Sequence, residues 1–198
     1  MKVIINIFIF IFLNIAFTQK LIIPMDDTQS NHLKAYGLSF WILEKNTNVD
    51  WLLNYRGGAF MVDYQDLIKN ECILRGISYE LVSTEELINI YSTIEDNNMD
   101  IVLLEKAPKI AVYSPPGTQP WDDAVTLALT YAEVEYDIIF DEEVLSNGLS
   151  DYDWLHLHHE DFTGQYGKFY RNYRNAAWYK QLEYDFNNTA SQFGFESV

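Results

Sequence analysis

Residues 109–145, KIAVYSPPGTQPWDDAVTLALTYAEVEYDIIFDEEVL, decide the predicted fold. This stretch contains an apolar run, a proline-rich loop, an apolar-periodic segment that begins with carboxylates, and a second apolar run. Short apolar runs that alternate with an amphipathic helix indicate a strand–helix–strand unit. Because such crossovers are right-handed, the two strands of the unit are expected to run parallel in one sheet.

An upstream stretch repeats this pattern at a gapless offset of 58 residues. Residues 51–87, WLLNYRGGAFMVDYQDLIKNECILRGISYELVSTEEL, show the same order of strand, loop, helix, strand and acidic helix start. The aligned identities are Tyr55 with Tyr113, Glu85 with Glu143 and Leu87 with Leu145. We therefore interpret residues 19–198 as an α/β domain built from two βαβ-like units, at about 51–87 and 109–145, followed by a C-terminal aromatic-rich segment.

The predicted architecture is a three-layer α/β sandwich on a mainly parallel sheet, of the class I amidotransferase-like or flavodoxin-like kind. The runs LVS, IVLLE, IAVY, DIIF and WLHLH are typical of strands covered on both faces. The stretch NHLKAYGLSFWILEK, residues 31–45, predicts a helix that packs on this sheet and has His32 near its start. The final letters, SQFGFESV, favour a fold that is incomplete at its C terminus.

Composition limits the kind of partner. Of the 198 residues, 48% are hydrophobic and 16% are aromatic, which predicts a globular chain. The formal net charge of −16 argues against nucleic acid as a partner, since nucleic acid requires basic patches. Cys72 is the only cysteine, so no intrachain disulfide can form. Its place in an apolar-periodic segment favours a buried core residue over a nucleophile.

The first 18 residues have the pattern of a signal peptide. Lys2 precedes an apolar run from Val3 to Phe17, and the small residues Ala16 and Thr18 permit cleavage before Gln19. The run is shorter than the ~20 residues that a membrane-spanning helix needs. We therefore expect an exported protein, periplasmic or extracellular, with no transmembrane span after cleavage.

Histidines and carboxylates gather where the last predicted strand ends, in DYDWLHLHHEDFTGQYGKFY, residues 151–170. The candidate catalytic residues are His158, His159, Glu160 and Asp161. The first three could also hold a divalent metal, because imidazole and carboxylate suit zinc, iron or manganese. His156 lies deeper in the strand, and we interpret it as a hydrogen-bonded core histidine.

Two loops and one helix supply further candidates. Arg56, Gly57 and Gly58 follow a strand and could hold an anionic group, although a tight turn explains the glycines better. On a parallel sheet Arg56, Ser114 and His159 would meet at one edge. Arg171 and Arg174 lie in an aromatic segment that could stack sugar rings or hold an anionic ligand, although amphipathic packing explains the segment equally well.

Four strings carry a resemblance to a known family: IIPMDDTQSNHLKAYGLSFWILE, VDWLLNYRGGAFMVDY, KIAVYSPPGTQPWDDAVTLALTYAEV and DYDWLHLHHEDFTGQYGKFY. Together they resemble the N-terminal part of exported proteins from Bacteroidetes-type bacteria that are commonly labelled asparagine synthetase B. The resemblance implies a class I glutamine amidotransferase-like α/β fold. The labelled activity requires a cysteine directly after the initiator methionine, where this chain has Lys2. It also requires a glycine- and serine-rich pyrophosphate loop, which this chain lacks.

The function expected from these observations is that of an exported, noncatalytic or degenerate amidotransferase-like domain. It would bind a small polar or glycan-derived ligand at the carboxyl ends of the strands. One alternative is a metal- or histidine-assisted hydrolase of an amide or sugar derivative, with His158 or His159 as base or ligand and Glu160 or Asp161 as partner. Another is a structural subunit whose site is completed by a second chain.

The export pattern generates the first prediction. Protein recovered from an exporting host should have the intact mass of a chain that begins at Gln19 or close to it. The small residues Ala16 and Thr18 permit cleavage before Gln19. Mass spectrometry of the purified protein checks this. A soluble cytoplasmic product that retains Met1 would show that the segment is no signal peptide.

Overall fold

A computed structural model describes residues 19–115, 123–157 and 166–196. The signal-peptide prediction, residues 1–18, falls outside these described residues. The strands are β1 (Lys20–Ile23), β2 (Val49–Leu53), β3 (Ala59–Asp63), β4 (Glu80–Val82), β5 (Asp100–Leu104), β6 (Ile110–Tyr113), β7 (Asp137–Ile139) and β8 (Trp154–Leu157). The helices are α1 (His32–Glu44), α2 (Asp66–Arg75), α3 (Thr84–Asp96), α4 (Ala124–Ala132), α5 (Asp141–Leu145), α6 (Tyr166–Tyr173) and α7 (Ala177–Gln192).

The larger sheet has five strands in the order β4-β1-β3-β2-β5, and every neighbouring pair is antiparallel. In both β1–α1–β2 and β3–α2–β4, a helix joins two strands of equal direction. A strand of the other unit lies between the two joined strands in each case. This interleaved βαββαβ arrangement is the split βαβ topology of ferredoxin-like folds, and α3 and β5 extend it.

Helices cover both faces of this larger sheet. One face buries its apolar side chains against α1 and α2, with Leu38 and Ile42 of α1 and Ile68 of α2 in the same cluster as Leu21 of β1. The opposite face buries a second cluster against α3. Because side chains alternate along a strand, successive residues of β1 and β3 enter opposite clusters. This explains why the first four residues of β3 are all buried.

The prediction of a mainly parallel, class I amidotransferase-like or flavodoxin-like sandwich is wrong. The segment between β2 and β3 is a hairpin turn rather than a loop leading to a helix. Asn54, Arg56, Gly57 and Gly58 all have positive φ, which reverses the chain within a few residues. The following letters, AFMVD, therefore form β3 antiparallel to β2. The short run KLII at the start of the described chain forms β1, which lies between β3 and β4.

The second predicted unit is confirmed as βαβ. The smaller sheet has the order β7-β6-β8, and both pairs are parallel. Helix α4 connects β6 to its neighbour β7, as residues 109–145 predicted. The first predicted unit, at 51–87, contains the β2–β3 hairpin instead. Tyr55 follows β2 of the larger sheet, whereas Tyr113 ends β6 of the smaller sheet, so the predicted shared edge does not form.

Helix α1 joins the two sheets by packing against α4. The contact is close at Gly37, where an added Cβ would lie 1.8 Å from the carbonyl oxygen of Ala132. Two charged side chains strengthen the junction beside it. Lys34 of α1 donates to the Glu133 carboxylate, and Nη1 of Arg75 lies 3.1 Å from the same carboxylate. One residue at the end of α4 thus binds both α1 and the end of α2.

No helix in the three described segments is long and apolar enough to cross a membrane.

The α1–α4 crossing predicts opposite effects for two glycine substitutions. Gly37→Ala should lower the free energy of unfolding by roughly 1–3 kcal/mol or more, because backbone at Ala132 must move to admit the Cβ. Gly167→Ala should leave the free energy of unfolding unchanged or raise it by up to about 1 kcal/mol. No described atom lies within 4 Å of a Cβ added there, and alanine favours a helix. Urea denaturation of both variants measures the difference. Equal free energies of unfolding for the two variants would contradict the close crossing of α1 and α4.

Candidate functional site

Polar residues meet at the carboxyl end of the small parallel sheet. Ser114 directly follows β6, Asp123 begins α4, and His156 lies on β8, which is the parallel neighbour of β6. His156 pairs in register with Val112. Because side chains alternate, Ser114 shares the face of Val112 and hence of His156. In open α/β sheets ligands bind beyond this end of the strands.

Asp123 is the central residue of this edge. Its side chain caps α4, since Oδ1 accepts from the backbone N–H groups of Val125 at 2.6 Å and Thr126 at 3.1 Å. The His156 ring nitrogen Nε2 lies 3.2 Å from each oxygen of the same carboxylate. Only 8% of Asp123 is exposed. The carboxylate therefore fixes both the helix start and the orientation of the imidazole.

The protonation of Asp123 reflects these contacts. Burial acts to raise its pKa, but hydrogen bonds from the Thr126 N–H, from His156 and from the Val125 N–H outweigh burial. The pKa consequently lies below its ordinary value. At neutral pH the group is a carboxylate, which can stabilise positive charge on the neighbouring imidazole.

Ser114 is buried on the same face of the sheet as His156. The residue is 3% exposed, and its backbone N–H continues the sheet by donating to Ile139 at 3.0 Å. Among the described residues its Oγ has no hydrogen-bond partner. A buried hydroxyl without a partner costs free energy, so such groups in native proteins require an explanation.

An aromatic wall lies at the end of β6. The Tyr113 hydroxyl donates to Asp141 at 2.6 Å, and the Tyr113 ring stacks on Phe140 with centroids 5.2 Å apart. Asp141 is the first residue of α5, and its position after β7 places it at the same end of the sheet. The edge thus combines carboxylates, an imidazole and hydroxyls with a rigid apolar surface.

The electrostatics of this edge disfavour an anionic ligand. A helix N-terminus attracts anions through its free N–H groups. In α4 the Asp123 carboxylate already occupies N–H groups of the first turn and contributes its own negative charge. Asp141 adds a second carboxylate nearby. An uncharged ligand with hydroxyl or amide groups suits this arrangement better than a phosphate or carboxylate.

Arg56, predicted to bind a ligand, lies at the other sheet and binds residues of its own chain. Its Nε donates to Asp26 and its Nη1 to Glu80, each at 2.7 Å, and its Nη2 donates to Thr28 at 2.9 Å. The guanidinium holds the pKa of Asp26 well below its usual range. Arg56 therefore fastens the hairpin turn to the β1–α1 loop and to β4, and the structure does not bring it to Ser114.

Gly57 and Gly58 serve the hairpin turn, which was the alternative interpretation of their sequence. An added Cβ at Gly57 would lie 2.3 Å from the carbonyl oxygen of Met25, and its φ is +78°. Gly58 has φ +91°. Close approach and backbone conformation together require glycine at the first of these positions.

The candidate residues that follow β8, namely His158, His159, Glu160 and Asp161, lie outside the described residues. Within the described segments no group of three or more His, Cys, Asp or Glu side chains could hold a metal ion. His156 is hydrogen-bonded, as predicted, although its side chain is half-buried rather than fully buried. Its partner Asp123 was expected only to begin a helix. It does so, but the pairing across the sheet has no local sequence signal.

Arg171 and Arg174 occupy an exposed surface. Arg171 lies on α6 and Arg174 directly after it, and the Arg174 guanidinium stands 5.9 Å from the centroid of the Tyr170 ring. Both side chains belong to a segment of aromatic rings that contact one another, which is described below. Among the described residues they form no hydrogen bond with Ser114, Asp123 or His156.

Cys72 lies in the core of the larger sheet, as predicted. It is fully buried on α2, and burial raises the pKa of its thiol to about 12. A thiol with such a pKa is protonated at neutral pH and is a poor nucleophile. The structure therefore offers no glutaminase cysteine at this position.

A cleft of about 880 Å³ opens at the opposite, amino end of the small sheet. Ile110 and Asp137, which begin β6 and β7, line it together with residues from the end of α1. Several of its charged groups pair with one another or with neighbours, as Lys109 does with Asp137 and Lys106 with Asp153. Such paired charges are typical of a junction between structural units, and the cleft is remote from Ser114 along the strand.

Comparison with known proteins adds no relative. No family model, no curated protein and no solved structure matches this chain. The chemistry of the strand edge must therefore be argued from its own residues.

The lowered pKa of Asp123 predicts a pH-dependent contribution to stability. Asp123→Asn keeps a helix-capping oxygen but removes the charge, and should lower the free energy of unfolding by about 1 kcal/mol at neutral pH. A carboxylate whose pKa is lowered by folding contributes fully above its unfolded pKa of about 3.9 and loses that contribution as pH falls through the folded pKa. The difference between wild type and variant should therefore shrink below about pH 4.

Denaturant unfolding between neutral and acidic pH measures this difference. Asp123→Ser is the matched variant, because serine also caps helices and carries no charge. A difference that persists unchanged at low pH would show that Asp123 acts through its size or cap alone.

Proposed function

We propose that this protein is a noncatalytic binding domain that holds a small, uncharged polar ligand at the carboxyl edge of the β7-β6-β8 sheet. The ligand class is one that carries hydroxyl or carboxamide groups, such as a sugar, a glycan-derived fragment or an amide. Ser114 and His156, which share one face of the sheet, would contact it. The proposal assigns Asp123 a positioning role, because its oxygens are already used by α4 and His156.

The unpartnered hydroxyl of Ser114 is the single observation that carries this proposal. A serine in a tightly packed core normally donates to a nearby carbonyl, as Ser39 does to Ala35 at 3.1 Å. Ser39 and Ser114 are buried to nearly the same extent, with 4% and 3% exposed. A ligand hydroxyl or amide would supply the partner that Ser114 lacks among the described residues.

Histidine-assisted hydrolysis is the second candidate, and the Asp123–His156 pair favours it. A carboxylate that orients an imidazole is the arrangement by which enzymes activate a serine hydroxyl or a water. Ser114 would be the nearby hydroxyl. The two side chains share no hydrogen bond, since the Ser114 hydroxyl has no partner among the described residues. This absence supports binding over catalysis.

We also propose that the protein is exported and that it belongs to the exported family labelled asparagine synthetase B. The signal-peptide pattern of residues 1–18 supports the first, and the four quoted strings support the second. The synthetase activity itself is not proposed, because Lys2 stands where its cysteine would be needed and the Cys72 thiol is buried.

A pair of serine variants tests the site. Ser114→Ala should keep or raise the free energy of unfolding by up to about 1 kcal/mol, because it removes a buried hydroxyl with no protein partner. Ser39→Ala, the matched control, should lose roughly 0.5–1.5 kcal/mol with its hydrogen bond. A loss in Ser114→Ala equal to that in Ser39→Ala would mean that the Ser114 hydroxyl is satisfied within the protein.

Calorimetric titration then tests the ligand class. The probes are N-acetylglucosamine and glutamine, with glutamate as the isosteric anionic counterpart of glutamine. We expect binding of at least one uncharged probe, at least tenfold weaker binding of glutamate, and loss of binding in Ser114→Ala but not in Ser39→Ala. Glutamate binding as tight as glutamine binding, or binding that Ser114→Ala leaves unchanged, would overturn the proposal. Turnover of a probe would favour the hydrolase.

A further inference from the structure

A second surface, built by α6 and α7, carries both exposed aromatic rings and positively charged side chains. We call residues 166–180 the aromatic-basic surface. Its sequence, YGKFYRNYRNAAWYK, contains four Lys and Arg residues and no Asp or Glu, within a chain whose net charge is −16. A local reversal of charge in so acidic a protein points to a specific partner rather than to general solubility.

The rings of this surface form one contacting cluster. Phe169 of α6 lies 5.7 Å from Trp178 and 6.2 Å from Tyr179 of α7, measured between centroids. Tyr173 lies 4.9 Å from Phe169 and 5.4 Å from Trp178. These contacts fix the rings in place. Trp178 nevertheless remains 50% exposed, so its face is available to a ligand at little cost in ordering.

The basic side chains of this surface differ from most others in having no carboxylate partner among the described residues. Elsewhere in the described chain six Lys and Arg side chains pair with carboxylates, namely Lys20, Lys34, Arg56, Arg75, Lys106 and Lys109. Lys168, Arg171, Arg174 and Lys180 form no ion pair with any described residue. Arg174 lies over the Tyr170 ring, and its guanidinium pairs with no carboxylate of the described residues.

We propose that the aromatic-basic surface binds an acidic oligosaccharide, one whose sugar rings carry carboxylate groups. The apolar face of a pyranose ring packs on an exposed aromatic ring, and a guanidinium holds a carboxylate with two parallel hydrogen bonds. Both components are needed for such a ligand. An exposed ring alone would take any sugar, and arginine alone would take any anion.

Charge over the whole molecule argues for this ligand over an extended polyanion. Nucleic acid and anionic membranes present a dense array of negative charge that a chain of net charge −16 repels over a Debye length of ~8–10 Å. A short oligosaccharide contacts only residues near 166–180 and avoids the acidic remainder. This surface is separate from the Ser114 edge, so the two binding proposals can fail independently.

The experiment compares trigalacturonate with the neutral trisaccharide maltotriose on the full mature chain, by calorimetry and by tryptophan fluorescence. We expect trigalacturonate to bind at least about tenfold more tightly than maltotriose, and its affinity to fall as salt is raised. Arg171→Gln with Arg174→Gln should weaken trigalacturonate binding about tenfold or more. The double variant Lys168→Gln with Lys180→Gln removes the same number of positive charges from the same surface as Arg171→Gln with Arg174→Gln.

Lys106→Gln with Lys109→Gln is the matched control, since it removes two positive charges from the amino end of the small sheet. Affinity in this control should stay within about twofold of wild type. Ser114→Ala should also leave the affinity for trigalacturonate unchanged, which separates this surface from the strand-edge site. Equal binding of both trisaccharides, no binding of either, equal loss in the control, or binding of phosphatidylglycerol vesicles instead would overturn the proposal.

Discussion

The close crossing of α1 and α4 sets the position of the small sheet relative to the large one. Helix α1 covers one face of the antiparallel sheet with Leu38 and Ile42. Its Gly37 meets the backbone of Ala132 at the end of α4. Only a residue without Cβ allows two helices to approach so closely while α1 keeps its contact with the sheet. This one helix therefore fixes the small parallel sheet relative to the large antiparallel one.

Each of the two sheets has a network of polar side chains at one of its ends. At the hairpin end of the large sheet, Gln29 donates to the carbonyls of Pro24 and Ser78 and accepts from the Ser78 N–H at 2.9 Å. Arg56 fastens the neighbouring turn with its three donors. At the carboxyl end of the small sheet, Asp123 satisfies α4 and His156, yet the Ser114 hydroxyl is left over. The first network is complete within the protein, whereas the Ser114 hydroxyl of the second has no partner among the described residues.

The contrast between these ends explains which predicted site residues survive comparison with the structure. Arg56 looked suited to an anion because it follows a strand and precedes glycines. Its donors are used by Asp26, Glu80 and Thr28, which lie 24 to 30 residues away in sequence. Ser114 directly follows a strand of the parallel sheet, as predicted, and its hydroxyl has no partner among the described residues. The local sequence could not distinguish these outcomes, because the partners of each side chain come from other helices, strands and loops.

The sequence by itself determined the local structure of most segments. The apolar runs at β5, β6, β7 and β8 and the periodic stretches at α1, α2 and α4 are local features, since spacing along the chain dictates which side chains share a face. It also determined the βαβ unit at 109–145 and the buried state of Cys72. Only the tertiary structure decided that KLII is a central strand, that NYRGG reverses the chain, and that Asp123 pairs with His156. Strand order and cross-sheet pairs depend on contacts between distant residues, which short-range patterns do not encode.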